Sequence, residues 1–281
     1  MERLDRPRTP LARVGLVLGI VLFVVWVLLP LSWVFISSFK EQLEIYTSRR
    51  FFPVSPSLAA YRQIFALRQF WTSLTNSVFI SLTSTLLAVS LCVLAAYGFA
   101  RYARGWWKHL LLLMILLPRV VPRISLVVPL YDAVVAAGLL NTHTSLIITY
   151  TATAIPLGTW ILIGFFELVP RELEECAAID GASIARIIWR IAIPLAWPGI
   201  MTVFVLTLRE GWNEFPFVMA FTTGMGARTL PYQLFLLKDS LGIQDWSVIS
   251  AFTVLTIVPI LVVYLFFQRH VVASIVSGAL K

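Results

Sequence analysis

Six long apolar runs, separated by short polar connectors, dominate the chain: Val14–Ser38, Leu74–Ala100, Leu110–Tyr131, Ser145–Phe166, Gly199–Thr222 and Ser247–Gln268. Each is long enough to cross a bilayer as a helix, which takes about 20 largely apolar residues. In lipid only helices and closed barrels satisfy their own backbone, so the pattern predicts an all-α membrane protein with six transmembrane helices. Runs three and five carry charges and are the least clean. Prolines punctuate several runs: Pro118, Pro122 and Pro129 in the third, Pro156 in the fourth and Pro259 in the sixth. Proline frees carbonyls that lipid cannot satisfy, so these helices are expected to pack on neighbours or to line a wet cavity.

Composition sharpens this reading. Hydrophobic residues make up 59% of the 281, charged residues 13% and the mean hydropathy is +0.87, which excludes an ordinary soluble domain. The net charge of +8 is no nucleic-acid signature, because the basic residues sit at the ends of apolar runs. Cys92 and Cys176 make no disulfide framework. An even number of spans puts both termini on one side. Arg101, Arg104 and Lys108 fill a very short connector on that side, whereas the loop after run three has no basic residue. This bias puts both termini in the cytoplasm, although the long loop from Lys40 to Ser73 is itself basic. Residues 1–13 are then a cytoplasmic segment and 14–281 a single six-helix domain. The first run exceeds the core of a secretory signal and lacks a small-residue cleavage site, so it is expected to stay as an anchor.

One polar segment, residues 167–198, interrupts the apolar pattern. Pro170 fits a first helical position, with Glu172, Glu174 and Glu175 following where the helix dipole favours negative charge. Gly181 after Asp180 suits a left-handed helix end. Ile184, Ile187, Ile188 and Ile191 repeat at helical spacing, and Pro194 and Pro198 close the segment. Periodicity alone fits two readings equally: a short helix offered to a cytoplasmic partner, or an amphipathic helix lying on the membrane.

The residues themselves separate the two. Glu175, Ala177, Asp180, Gly181, Ala182, Ile191 and Pro194 resemble the E-A-A, D-G-A and I-x-L-P loop of ATP-binding cassette (ABC) importer permeases, with Cys176 and Ile193 as mild departures. Tyr61, Ile64, Phe65, Asn76 and Ser77 are similar to the signals leading into the second span of sugar permeases. Gly138-Leu139 with Asn141-Thr142 and Leu146, Trp212-Asn213-Glu214, and the stretch Gln268-Arg269-His270 through Ser277-Gly278-Ala279 resemble further family segments. Together they resemble the smaller permease of maltose-type carbohydrate importers. That resemblance implies a type I ABC importer permease fold, in the cytoplasmic membrane of a bacterium or archaeon. Glu172, Glu175, Ala177, Ala178, Asp180, Gly181, Ala182 and Ile184 would then form a coupling helix held by an ATPase subunit. The implied partners are a second, homologous permease in a heterodimer, two ATPase subunits, an extracytoplasmic solute-binding protein and the sugar.

Charges within the apolar runs need partners, since a bare charge at the bilayer centre costs at least about 2.5–3.5 kcal/mol. Arg119 and Arg123 are four apart, as are Glu210 and Glu214, and each pair is expected to share one helical face. The expected arrangement is a common polar cavity with an Arg–Glu contact between spans three and five. A purely structural ion pair fits equally well. With Trp212 and Asn213, these residues form the candidate substrate pathway.

The chain has no G-x-x-x-x-G-K-[ST] loop, so ATP and Mg²⁺ are expected on the partner ATPase and no cofactor in this chain. His109, His143 and His270 are scattered at span edges and propose no metal site. The chain is therefore expected to be a translocation subunit rather than an enzyme. Rival functions are an ABC permease for a polyol phosphate such as glycerol phosphate, an ion-coupled secondary transporter, for which no inverted repeat is evident, and a membrane scaffold without transport.

Overall fold

Apolar runs that cannot share hydrogen bonds with solvent close them within the segment, and the chain is helical throughout its described regular structure. The computed structural model describes residues 10–240 and 245–279, the side chains of 239–240 and 269–279 excepted. The expected cytoplasmic segment 1–13 lies, up to residue 9, outside the described residues, as do the side chains of Arg269 and His270.

The helices are α1 (Pro10–Ser37), α2 (Gln42–Thr47), α3 (Ala59–Ala66), α4 (Arg68–Tyr102), α5 (Gly105–Leu116), α6 (Arg123–Ala136), α7 (His143–Leu168), α8 (Arg171–Ile179), α9 (Ile184–Ile187), α10 (Ile193–Leu195), α11 (Trp197–Trp212), α12 (Pro216–Phe221), α13 (Leu230–Ser240) and α14 (Trp246–Ala279). Among the described residues four helices are long and apolar enough to cross a membrane alone: α1, α4, α7 and α14 up to Gln268. The other two expected spans are broken. The third bends by 90° between Arg119 and Arg123, where Pro122 removes a donor and keeps Val121 out of helical conformation. The bent pair at the fifth span runs Ile184–Leu195 and Trp197–Trp212 with a 78° bend. The expected span Gly199–Thr222 stays helical only to Trp212, because Pro216 restarts the helix after a three-residue break. Six spans result when each bent pair counts as one.

Two compact units divide the chain. In the first, residues 1–67 with 237–255, the loop after α1 closes on itself. The Ser38 and Tyr61 hydroxyls lie 2.7 Å apart, and Lys40 donates to the Arg50 carbonyl beneath the Trp33 ring.

The second unit, residues 68–236 with 256–281, is built on α4, α7 and α11. Its core joins Val89, Cys92, Ala96, Leu162, Phe166, Ala192, Ile200 and Val203. Small residues let these helices approach, as is usual where lipid supplies no hydrophobic drive. A Cβ on Gly158 would meet Cys92 Sγ at 2.7 Å, and one on Gly199 would enter the Phe165 ring. A second cluster gathers Ile80, Leu146, Tyr150, Phe217 and Phe221. Beside it, Gly138 and Asn141 take positive φ of 67° and 59°. Gly138 thus ends α6 in the left-handed turn that glycine favours, and Thr142 caps α7 by accepting from Ser145 N. The glycine–leucine and asparagine–threonine pairs are the turn chemistry between those two helices.

Candidate functional site

The polar hairpin starts one residue later than its sequence suggests. Pro170 is the N-cap and α8 begins at Arg171. Asp180 ends the helix and Gly181 follows at φ +80°, with Gly181 N donating to Ala178 O and Ala182 N to Ala177 O. Ser183 then caps α9 through its hydroxyl. The expected isoleucine stripe holds in part, with Ile188 and Ile191 half-buried beside Ile187. Residues 188–192 form a π-helix, whose wider turn changes the face each residue presents. Ile187 is buried while Ile184 is exposed. Glu172, Glu175, Ala178, Asp180, Gly181 and Ile184 are solvent-facing, and Ala177 and Ala182 are half-buried. Ile179 and Trp189 are also exposed, at 86% and 69%, so the hairpin presents an apolar tip with acidic flanks.

What fixes this hairpin is a residue whose only expected role was to complement the helix dipole. Glu174, on the inner side of α8, is buried against the end of α4. Arg101 donates to its carboxylate through Nη2 at 2.7 Å and Nε at 3.0–3.1 Å, and the Tyr97 hydroxyl donates at 2.9 Å. Arg101 also donates to Val169 O, and Arg171 to Ala100 O, each at 3.0 Å. A planar guanidinium fits a carboxylate and a carbonyl at once. In sequence Arg101 is one of three basic residues in a short connector, and nothing marks it as the one that folds inward.

The second candidate site lies at the two helix breaks. Arg119 donates to both oxygens of Glu210, at 2.8 and 3.1 Å. Arg123 donates to Glu210 at 2.8 Å and to Glu214 at 2.6 Å. The four charges thus form one alternating lattice between the third and fifth spans. The route differs from the expected shared helical faces. Arg119 ends a 3₁₀ turn after α5, and Arg123 opens α6 beyond the 90° bend. Glu210 is on α11, but Glu214 lies past its end and also accepts from Phe217 N in the first turn of α12. The 90° bend of span three and the break after Trp212 converge the side chains. Both arginines line a groove of about 680 Å³ with Pro118, Leu130, Thr149 and Thr153, which neither glutamate lines. Glu214 is only 4% exposed.

Trp212 and Asn213 are not drawn into this lattice. Trp212 is buried and donates to Thr256 O of α14, while Asn213 is exposed and donates back to Arg209 O. Among the described residues no group of three or more His, Cys, Asp or Glu is placed to hold a metal. His143 instead lies 3.0 Å from Asn76 Oδ1 and from Gly226 O.

Comparison with known proteins gives a consistent set of likenesses. Residues 88–277 match the family described as "Binding-protein-dependent transport system inner membrane component". The chain is 35% identical to the sulfoquinovosyl glycerol transport system permease protein SmoH of Agrobacterium fabrum, over 90% of this chain and 89% of that one. It is 32% identical to the trehalose/maltose transport system permease protein MalG of Thermococcus litoralis, over 96% and 98%. In fold it resembles a chain of a bacterial ABC transporter involved in the import of the acidic polysaccharide alginate, with TM-score 0.81, 22% identity and coverage of 94% of this chain and 99% of that one.

Proposed function

The chain belongs to the family of binding-protein-dependent transport system inner membrane components, and on that premise we propose that it is the permease subunit of an ABC importer that moves a carbohydrate across the cytoplasmic membrane of a bacterium or archaeon. As a multi-pass integral membrane protein of this family it acts as a transport subunit. ATP is bound with Mg²⁺ and hydrolysed by two partner ATPase subunits. A second, homologous permease completes the pathway as a heterodimer, and an extracytoplasmic binding protein delivers the solute. Relatives named for sulfoquinovosyl glycerol and for trehalose/maltose support a carbohydrate cargo.

The observation that carries this reading is the hairpin of α8 and α9. Its exposed tip, Glu175 through Ile184, is turned by Gly181 and fixed at its base by buried bonds to α4. A segment so held transmits force, as rigid elements do in switching transitions. Closure of the ATPase dimer moves this handle, and α11, joined to it through the π-helix, carries the motion to Glu210. There the Arg119–Glu210–Arg123–Glu214 lattice contributes hydrogen-bonding groups to the solute pathway.

A second reading, a permease for a polyol phosphate or another anionic solute, is favoured by one feature: the groove beside the lattice is lined by both arginines and by neither glutamate. Uptake by the assembled transporter in proteoliposomes tests both readings and the ion-coupled rival. Uptake that needs internal ATP and survives collapse of ion gradients supports the importer. Uptake that follows the gradient without ATP contradicts it. Competition by neutral sugars against sugar phosphates selects the cargo.

A further inference from the structure

The longest helix of the second unit is anchored at both ends by side-chain bonds, and the two anchors differ in kind from the packing between them. At one end the last turns of α4 hold the coupling hairpin: Tyr97 and Arg101 on the Glu174 carboxylate, Arg101 on Val169 O, and Ala100 O accepting from Arg171. At the other end Asn76 donates through Nδ2 to Gly226 O at 2.8 Å and Arg228 O at 3.0 Å. Next to it the Ser77 hydroxyl accepts from Leu230 N at 2.7 Å. His143 at the head of α7 reaches the same Asn76 Oδ1 and Gly226 O. Asn141 accepts from Thr223 N and Gly224 N, so residues 223–230 are held from both sides. Between the anchors α4 has no proline and runs about 36 Å at 1.5 Å per residue.

We propose that α4 is a strut: Glu174 and Arg101 at one end, and Asn76 and Ser77 at the other, are positioning residues that make the 223–230 loop follow the coupling hairpin. This inference rests on the importer reading above. Three physical points carry it. First, an arginine–glutamate pair with both side chains no more than 10% exposed is bonded on several sides and cannot slide without leaving a charge unpaired. The base of α8 therefore moves with the end of α4. Second, an unbroken helix transmits displacement along its axis, whereas span three is bent by 90° and span five is interrupted at residues 213–215 beside the Arg–Glu lattice. Third, the far end meets loop backbone: Asn76 and Ser77 take up the groups that residues 226–230 leave unpaired, so the loop keeps its shape by staying on α4. The strut bypasses the solute pathway. Nucleotide state at the ATPase is thereby reported on the opposite side of the membrane without passing through Glu210.

The experiment uses the assembled transporter in nanodiscs, with Met225→Cys in a Cys176→Ala background, and needs no solute. The rate at which an impermeant maleimide labels position 225 is read with and without ATP plus vanadate, and ATP hydrolysis is followed in parallel. In the otherwise native transporter nucleotide is expected to change the labelling rate at least threefold. Glu174→Gln and Asn76→Ala each reduce that ratio to below 1.5-fold, while the nucleotide-free rate stays within twofold. Exchanging the charges, Arg101→Glu with Glu174→Arg, is expected to restore at least half of the response; a merely structural role would instead change the nucleotide-free rate and the amount of assembled transporter together. Tyr97→Phe removes one hydrogen bond and keeps the ion pair. It is expected to lower the ratio by about a third, and it supplies the readout should Glu174→Gln fail to assemble. A nucleotide response that survives Asn76→Ala and Tyr97→Phe undiminished overturns the strut. So does the absence of any response in a transporter that hydrolyses ATP. A complex with no ATP hydrolysis overturns the functional reading and the strut together.

Discussion

Among the described residues two arginine–glutamate clusters occur, and the same chemistry is set differently in each. At the base of the hairpin a single Arg101–Glu174 pair is enclosed by protein and completed by a tyrosine hydroxyl and a backbone carbonyl. At the broken spans two arginines and two glutamates alternate, and the arginine side chains are 27% and 34% exposed beside a groove. An enclosed pair has one low-energy arrangement and holds elements rigidly. A partly open lattice has spare donors and room to exchange partners, which is what the proposed solute pathway would use. Burial and connectivity, more than residue identity, set the two clusters apart.

The largest expected effect breaks the enclosed pair from one side. Arg101→Ala leaves Glu174 buried and uncompensated, which costs about 3–5 kcal/mol. Thermal unfolding in detergent is expected to show a large loss of stability, and a change of under about 1 kcal/mol would remove the contrast between the clusters. Replacing both partners by apolar residues, Arg101→Met with Glu174→Leu, sharpens it. Such exchanges are often neutral or stabilising, so the double variant should regain stability while ATP-driven uptake stays low.

Next in size is Gly181→Val. At φ +80° a β-branched residue pays about 1–2 kcal/mol for the left-handed conformation. Uptake is expected to fall about tenfold with the chain still in the membrane. The lattice should respond more mildly: Arg119→Ala is expected to cost only about 1–2 kcal/mol, because water reaches the partner it leaves behind. Its main effect should be on uptake, raising KM more than it lowers the amount of assembled transporter. Loss of assembly with normal KM in the remainder would make the lattice structural. The smallest effect is Thr142→Ala, which removes the α7 cap at about 1 kcal/mol, measurable as a modest drop in melting temperature with transport unchanged.

Much of this architecture was legible in the residues. Four spans read cleanly because their apolar runs have no interior break that matters to the helix. Pro156 and Pro259 sit inside α7 and α14 without interrupting them. The third and fifth spans did not read cleanly, and their charges and prolines were the signal: Pro122 and Pro216 stand at the two breaks. The glycine turn of the hairpin was visible, since Gly181 after Asp180 is a local rule. Spacing brought Arg119 and Arg123 together for the wrong reason, because a bend rather than a common helical face aims them. The Glu174–Arg101 clamp was illegible. Glu174 is one of three acidic residues in α8 and Arg101 one of three basic residues in a connector, and their separation of 73 positions leaves no local trace. Only the packing of α4, α7 and α8 selects which carboxylate turns inward. Trp212 likewise carried a family-like pattern, yet it seals against α14.

The central claim is that the Glu175–Ile184 tip is gripped by a nucleotide-hydrolysing partner. A photo-crosslinking residue in place of Ala178, in membranes containing the complete transporter, tests it most directly. The expected result is light-dependent capture of an ATPase subunit, with a yield that changes when ATP and vanadate are added. Capture of lipid or of the binding protein alone, with no ATPase product in any nucleotide state, would contradict it.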